Sequence, residues 1–441
     1  MYESAKNIVK KLQQNNFCAY FVGGWVRNKL LGRPSKDIDI ATDATPEEIK
    51  KIFNHYHEVG VSFGVVNVIA HSGDCFEVAT LREEDEYLDG RHPEEIRYTN
   101  DIKKDAMRRD FTVNAMFFDP ISEQYFDFYN GMNDLKRGVL NTVGDPMNRF
   151  SEDALRILRA VRFAVEYNLT IEQQVIEAII SLKNRLNMLS VERIREELNK
   201  MLLGKNPERA FRLLAEYQLL EVILPEVDVL RGIEQNPIYH PEGDVFEHTM
   251  LMLRHFTLKN HDLAWSILLH DVGKKTTQEF TDEGNVHFYC HEVDSAEIAQ
   301  KILERLKFSK QSSKIIIKAV GDHMRYAHVD KMRKAKWRRI LDYEYFPLEL
   351  ELHRIDCLSS NRLMGNYNLL LQRYRECDEN DEVKISPFLG GKDLIALGFK
   401  PGKIFKDILN KVTEMQLEEV VKSKEDALDY VRKNFLEKLG N

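Results

Sequence analysis

The sequence predicts an α+β protein: a small mixed α/β domain over residues 1–145, then three helical regions over 146–235, 236–365 and 366–441. Three observations predict it. Before residue 145, short apolar runs ending in glycine or polar turns alternate with helix-spaced segments. From Ser151 onward strand signals nearly vanish and apolar residues recur at helical spacing. Breaks near Gly204, Asn206-Pro207, Pro225 and Ser386–Gly391 punctuate that helical part.

Taken in order, Ile8, Val9 and Leu12 mark an opening helix. Ala19–Val22 is a short buried strand that stops at Gly23-Gly24, and a helix runs from Val26 to Leu31, where Gly32 and Pro34 end it. Asp37 to Ala41 reads as the next strand, and Thr45-Pro46-Glu47-Glu48 caps a third helix with proline in its first turn. Val65 to Ala70 and Cys75 to Leu81 form a hairpin around Ser72-Gly73-Asp74. Ser151-Glu152-Asp153 starts a helix that runs through Arg162.

Composition narrows the function classes. A chain of 441 residues with 43% hydrophobic and 30% charged residues is ordinary for a soluble protein of two to four domains. No apolar run approaches the roughly 20 residues needed to span a bilayer, and the N-terminus lacks signal-peptide form. Five scattered cysteines without a CxxC predict reduced thiols and a cytoplasmic protein. The net charge of −8 excludes a whole-surface nucleic-acid binder but leaves room for local basic grooves.

Asp37 and Asp39 carry the chemistry. Carboxylates two apart on a strand point to the same side and offer oxygen ligands for Mg²⁺. Alone they would more often be a solvated acidic turn. Gly24 stands thirteen residues before Asp37, at the end of a strand, where backbone N–H groups can approach a triphosphate, and Arg27 follows it. Together they predict nucleotidyl transfer, which needs positioning and charge neutralisation above all. Glu77, on the Cys75–Leu81 strand, is a candidate third acid.

Asp153 and Arg156 stand three apart and would share a helix face. A carboxylate only accepts and a guanidinium only donates. Cytosine sets an amino donor beside the N3 acceptor, and adenine sets one beside N1, so one acceptor plus one donor reads both. Guanine and uracil reverse that order and would leave buried groups unpaired. Arg159 and Arg162 continue the helix and add phosphate or base contacts.

Gly-Gly-x-Val-Arg followed by Asp-x-Asp resembles the polymerase-β nucleotidyltransferase superfamily, in its class II tRNA nucleotidyltransferase and bacterial poly(A) polymerase branch. Arg108 to Met116, Tyr129-Asn130-Gly131 with Asp134-Leu135, and Glu152 to Ala164 match in the same order over residues 17–230. The resemblance implies a polymerase-β-like head, a helical neck bearing the base-selecting residues, and a helical tail that contacts RNA. It implies Arg109 near the nucleotide, Asp110 near its ribose, and Asp153 with Arg156 as a protein template for CTP and ATP. The substrate it implies is the tRNA 3′ end, extended by CCA or by the terminal A, with poly(A) polymerase as the alternative. Asn28 departs from the pattern, since the family usually carries Asp after Val-Arg. The polar stretch Arg82 to Pro93 occupies the place of a flexible loop that accompanies terminal A addition.

His248, His270-Asp271, His291, His323 and Asp356 resemble an HD domain. The resemblance implies His248, His270, Asp271 and Asp356 as ligands of one divalent ion, either Mg²⁺ or a transition metal, with His291 and His323 for a second metal or a phosphate. A metal-dependent phosphohydrolase is therefore the alternative main activity. Lys331 to Arg339 is the densest basic run, and Pro387 to Gln416 resembles the helical tail of HD-bearing bacterial members.

Overall fold

The computed structural model describes residues 1–35, 37–57, 64–84, 96–282, 284–380 and 383–435. The polar stretch expected to act as a loop falls largely on residues 85–93, which lie outside the described residues. The chain forms two compact units, one of residues 1–228 with 305–307 and one of 229–304 with 308–441.

The first unit opens with the helix Tyr2–Gln14, which buries Ala5, Ile8, Val9 and Leu12. Its sheet has seven strands: β1 (Ala19–Val22), β2 (Asp39–Thr42), β3 (Tyr56–His57), β4 (Val65–Ile69), β5 (Cys75–Thr80), β6 (Met116–Asp119) and β7 (Gln124–Asp127). They lie in the order β3-β4-β5-β2-β1-β6-β7. All neighbours run antiparallel except β2 and β5. The helix Pro46–Ile52 begins with the reciprocal Thr45–Glu48 capping box that the sequence suggested.

Three expected spans shift, the first being the second helix, which covers Gly24–Leu30 and so begins two residues before Val26. The second strand begins at Asp39 rather than Asp37, because its last pairing is Val22↔Asp39 and β1 ends there in the glycine turn. The predicted helix from Ser151 is broken: one helix covers Pro146–Glu152, another covers Leu155–Tyr167, and Asp153 between them is extended at φ −140° and ψ 104°. The Asp153 carboxylate accepts a hydrogen bond from Leu155 N–H at 3.0 Å, a local contact that favours a helix start over a helix interior. The helix Leu155–Tyr167 then buries Ile157, Leu158, Ala160, Val161 and Ala164 completely. Each such aliphatic side chain contributes roughly 1–3 kcal/mol of hydrophobic stabilisation.

The second unit is helical apart from the hairpin Gln278–Phe280 with Val286–Phe288. Helices Val245–His255, His261–Leu269, His291–Arg305, Lys310–Asp322 and Phe346–Ser359 carry or flank the histidines. A core around Tyr326, Phe346, Leu350 and Leu370 joins the later helices, and the tail packs on its own core of Leu394, Phe399, Ile408, Val412 and Val431. No helix among the described residues is long and apolar enough to cross a membrane.

Candidate functional site

Strand register builds the first site. Val22 pairs with Asp39, so the turn that follows Val22 lies against the acidic strand. Gly23 holds φ +62°, where a side chain would be strained, and its Cα faces Asp39 and Arg109. Exposure alternates along Asp37, Ile38, Asp39 and Ile40: both aspartates are exposed and both isoleucines buried, so the carboxylates share a side although only Asp39 is in the ladder. The parallel pairing Ile40↔Val78 brings Glu77 beside Asp39. Asp39 reaches solvent at its surface, yet the protein packed around it desolvates the carboxyl and raises it above its usual range; Arg109 opposes that rise and Asp37 adds to it. Burial also raises Glu77, with Asp39 contributing. Three carboxylates brought to one side of the sheet form an all-oxygen donor set suited to a hard divalent cation.

A cleft of about 420 Å³ opens beside them, lined by Gly23, Gly24, Arg27, Asp39, Arg109 and Asp110, and by Asp153, Arg156 and Arg159. Asp37 and Arg162 are not in its lining. Arg162 turns to Glu197, donating from Nε at 2.6 Å. Arg27 lies beneath the cleft, 4% exposed, stacked 3.8 Å from the Tyr167 ring and donating to the Tyr167 hydroxyl and the Asn114 side chain. Asn114 donates in turn to Asp110 at 3.1 Å, and Asp110 accepts from Arg159 at 2.6 and 2.9 Å. Burial alone would raise the Asp110 carboxyl, but the charge and hydrogen bonds of Arg159 hold it below the usual range. Asp105 clamps Arg108 and Arg109 at 2.8 and 3.0 Å.

Asp153 and Arg156, the residues expected to select the base, are each held by a further partner. Arg156 donates to Glu152 at 2.7 Å and to the carbonyls of Arg108 and Arg149 at 2.9 and 3.2 Å. Asp153 accepts from Arg193 at 2.9 Å. Asn114 and Glu152 lie inside the family-like segments and could have been found there; Arg193, forty residues from Asp153, carries no local signal. Asn28 accepts weakly from Arg27 at 3.4 Å.

The second site joins all six residues of the HD-like set. His270, His291 and His323 each donate Nδ1–H to the carbonyl three residues back, at 2.8, 2.9 and 2.6 Å. Their Nε2 atoms are thereby turned inward. His270 Nε2 lies 3.1 Å from Asp271, His291 Nε2 3.2 Å from Asp271, and His248 Nε2 3.2 Å from Asp356. His248, His270 and Asp271 can converge on one ion, and Asp271, His291 and His323 on another. The buried atoms His248 Nε2 and His270 Nε2 make no hydrogen bond of good geometry, which fits an electrophile between them.

Glu242 and Lys274 also contribute to this site. Glu242 holds His248 Nδ1 at 2.6 Å and His240 Nδ1 at 2.9 Å, and Lys274 reaches Asp271 at 2.8 Å. Burial would lower the His248 imidazole, yet Asp356 and Glu242 push it up to about 9. Burial and the neighbouring His270 and His291 push His323 down to about 3. Gly273 permits the close packing behind this geometry: a Cβ there would stand 2.5 Å from both the His291 carbonyl and Ser295 N.

Residues 19–141 match the Poly A polymerase head domain, 168–230 the family described as the probable RNA and SrmB binding site of polymerase A, and 243–355 the HD domain. A CCA-adding enzyme of Ligilactobacillus salivarius is 32% identical over 450 residues, covering 99% of this chain and 98% of that protein. One from Staphylococcus epidermidis is 39% identical over 247 residues, which is 56% of this chain and 60% of the relative. The crystal structure of the Bacillus stearothermophilus CCA-adding enzyme in complex with CTP aligns with a TM-score of 0.73 at 25% identity, covering 99% of this chain and 98% of the other. With the Poly A polymerase head domain matched and a relative 32% identical along nearly the whole of both chains, the chain belongs to the CCA-adding enzyme family.

Proposed function

We propose that the chain adds CCA, or its terminal A, to the 3′ end of tRNA from CTP and ATP. One observation carries this reading: a single cleft holds the glycine turn, Asp39, and the acceptor–donor pair Asp153 and Arg156. The relatives' activity and the CTP complex of the aligned structure support it. Gly24 and Arg27 receive the triphosphate, with Arg109 beside them; Asp110 anchors Arg159 and stands near the ribose. The Asp153 carboxylate accepts the amino group of cytosine or adenine while Arg156 donates to the adjacent ring nitrogen. Asp37 and Asp39, with Glu77, would hold Mg²⁺, which supplies activation of the attacking 3′-hydroxyl and neutralisation of the departing pyrophosphate. The five free thiols suit a cytoplasmic setting.

The test supplies tRNA ending at the discriminator base, at C and at CC, with CTP and ATP separately and together, and sizes the products. Stepwise growth to CCA is expected. A confined to CC ends would reduce the enzyme to terminal A addition, and long A tracts would make it a poly(A) polymerase. Full incorporation by Asp37→Ala would sink the reading of the acidic pair.

A second reading is favoured by the inward-facing Nε2 atoms of the HD-like site: a metal-dependent phosphohydrolase in the second unit. His248, His270, Asp271 and Asp356 would hold the ion, whether Mg²⁺ or a transition metal, with His291 and His323 beside a second ion or the phosphate. The bound ion supplies an activated water. Lys274 would neutralise the phosphate. His270→Ala should abolish phosphatase turnover while Asp37→Ala leaves it in place.

A further inference from the structure

One buried carboxylate lies behind the nucleotide cleft rather than in it. Asp105 sits on the helix Ile102–Met107 and is 1% exposed. Arg108 and Arg109 line the cleft, and Asp105 does not. The helix ends at Met107, but Arg108 keeps helical angles, φ −78° and ψ −11°. The residues three and four positions after Asp105 therefore still share its face. Arg108 donates from Nε to Asp105 Oδ1 at 2.8 Å, and its Nη2 lies 2.8 Å from the same oxygen. Arg109 donates to Oδ2 from Nε at 3.2 Å and from Nη2 at 3.0 Å. The N–H of Arg82 adds a bond to Oδ1 at 3.3 Å. Burial alone would raise this carboxyl, yet the charges of Arg109 and Arg108 hold it below its ordinary range.

With Nε and Nη2 taken by Asp105, Arg109 turns Nη1 toward the cleft. That nitrogen lies 3.4 Å from the place a Cβ on Gly23 would occupy, and Asp39 Oδ2 lies 3.9 Å from the same point. The guanidinium also stands 5.1 Å from the centre of the Phe117 ring, and Nη1 reaches the Asn114 carbonyl at 3.4 Å. Carboxylate, ring and carbonyl together fix its orientation toward the glycine turn. Arg108 acts through its backbone, since its carbonyl accepts from Arg156 Nη2 at 2.9 Å. One carboxylate thus anchors the cation at the glycine turn and a support of the base-facing arginine. It also separates two adjacent guanidiniums that would otherwise repel each other.

We propose that Asp105 is a positioning residue for nucleotidyl transfer, holding Arg109 toward the triphosphate and, through Arg108, Arg156 toward the base. This rests on the reading of the cleft as a nucleotide site. Asp105 itself touches no substrate. It acts by denying the two arginines other orientations, and a misplacement of about 1 Å at such a group can cost about a hundredfold in rate.

The test measures incorporation of CTP onto tRNA ending at the discriminator base and of ATP onto tRNA ending at CC. The full-length wild type is compared with Asp105→Asn, Arg109→Ala and the double variant. Asp105→Asn should raise KM for each nucleotide about tenfold, leave KM for tRNA unchanged, and weaken inhibition by inorganic tripolyphosphate about tenfold. UTP incorporation relative to CTP should rise about threefold. In the Arg109→Ala background the same change should move the nucleotide KM by less than about twofold, because the residue it acts through is gone. A purely structural role would lower the active fraction, and with it kcat, while KM and tripolyphosphate inhibition stay at wild-type values; that result overturns the proposal. So does a KM effect that persists undiminished in Arg109→Ala. Where Asp105→Asn does not fold, Asp105→Glu keeps the charge and displaces the carboxylate by one carbon. A rise in its nucleotide KM of about threefold supports the proposal, and wild-type values in the folded variant overturn it. Wild-type incorporation beside unchanged Asp105→Asn kinetics removes the proposal and keeps the nucleotide reading. Incorporation of neither nucleotide by the wild type removes both.

Discussion

Asp110 sits where three donors meet: Arg159 from the neck helix, the Asn114 amide, and the N–H of Phe111. Asp110→Asn strips the charge that Arg159 answers, and should cost about 2–3 kcal/mol in urea unfolding and slacken the Asn114–Arg27 chain behind it. The same residue sets a pH dependence, in company with Asp105 and Glu197. All three carboxyls are held below their ordinary values of 3.8, 3.8 and 4.5, because neighbouring arginines outweigh burial. A depressed folded-state pKa contributes stability that is present above the ordinary value and lost as pH falls through the folded one. Thermal melts should therefore hold steady above about pH 5 and fall steeply below about pH 4, less steeply in Asp110→Asn. Arg193 acts at the same scale. Arg193→Ala frees the Asp153 carboxylate to rotate, and competition of CTP and ATP against UTP and GTP should show about tenfold poorer discrimination, with the fold intact.

Among elements, the short 3-10 helix Val272–Lys275 and the helix His291–Arg305 show how packing makes a site. They approach so closely that Gly273 N–H donates to Ser295 Oγ at 2.8 Å, which brings Asp271 within 3.2 Å of His291. Gly273→Ala has no flexible neighbour to displace, since the clash is with backbone. It should cost about 3 kcal/mol or more and abolish metal uptake, read by calorimetric titration with Mn²⁺. Ala19–Val22 was legible because four apolar residues bounded by a glycine turn have few other structures to adopt. The capping box at Thr45 was legible because its hydrogen bonds span three residues. The helix break at Asp153 was not, since a carboxylate that bonds its own backbone competes with a helix in a way that periodicity does not register.

Among the described residues, each unit carries a candidate site: the acidic strand and cleft in the first, the histidine cluster in the second. A divalent ion at a hundred times its dissociation constant should stabilise the cluster by about 2.7 kcal/mol. Differential scanning calorimetry should show that gain in wild type and lose it in Asp271→Asn. By itself the sequence determined the α+β class, the motif order, the glycine turn before Asp37 and Asp39, and the identity of the six HD-like residues. It could do so because strands, turns and helices answer to neighbours a few residues away. The tertiary structure alone decided which charges are already neutralised and which atoms stay open. Arg162 is taken by Glu197 thirty-five residues on, Asp153 by Arg193, and Asp110 by Arg159, whereas Asp39 lines the open cleft and the Nε2 atoms of His248 and His270 face inward. Ion pairing and desolvation depend on distance in space, which only the folded chain supplies.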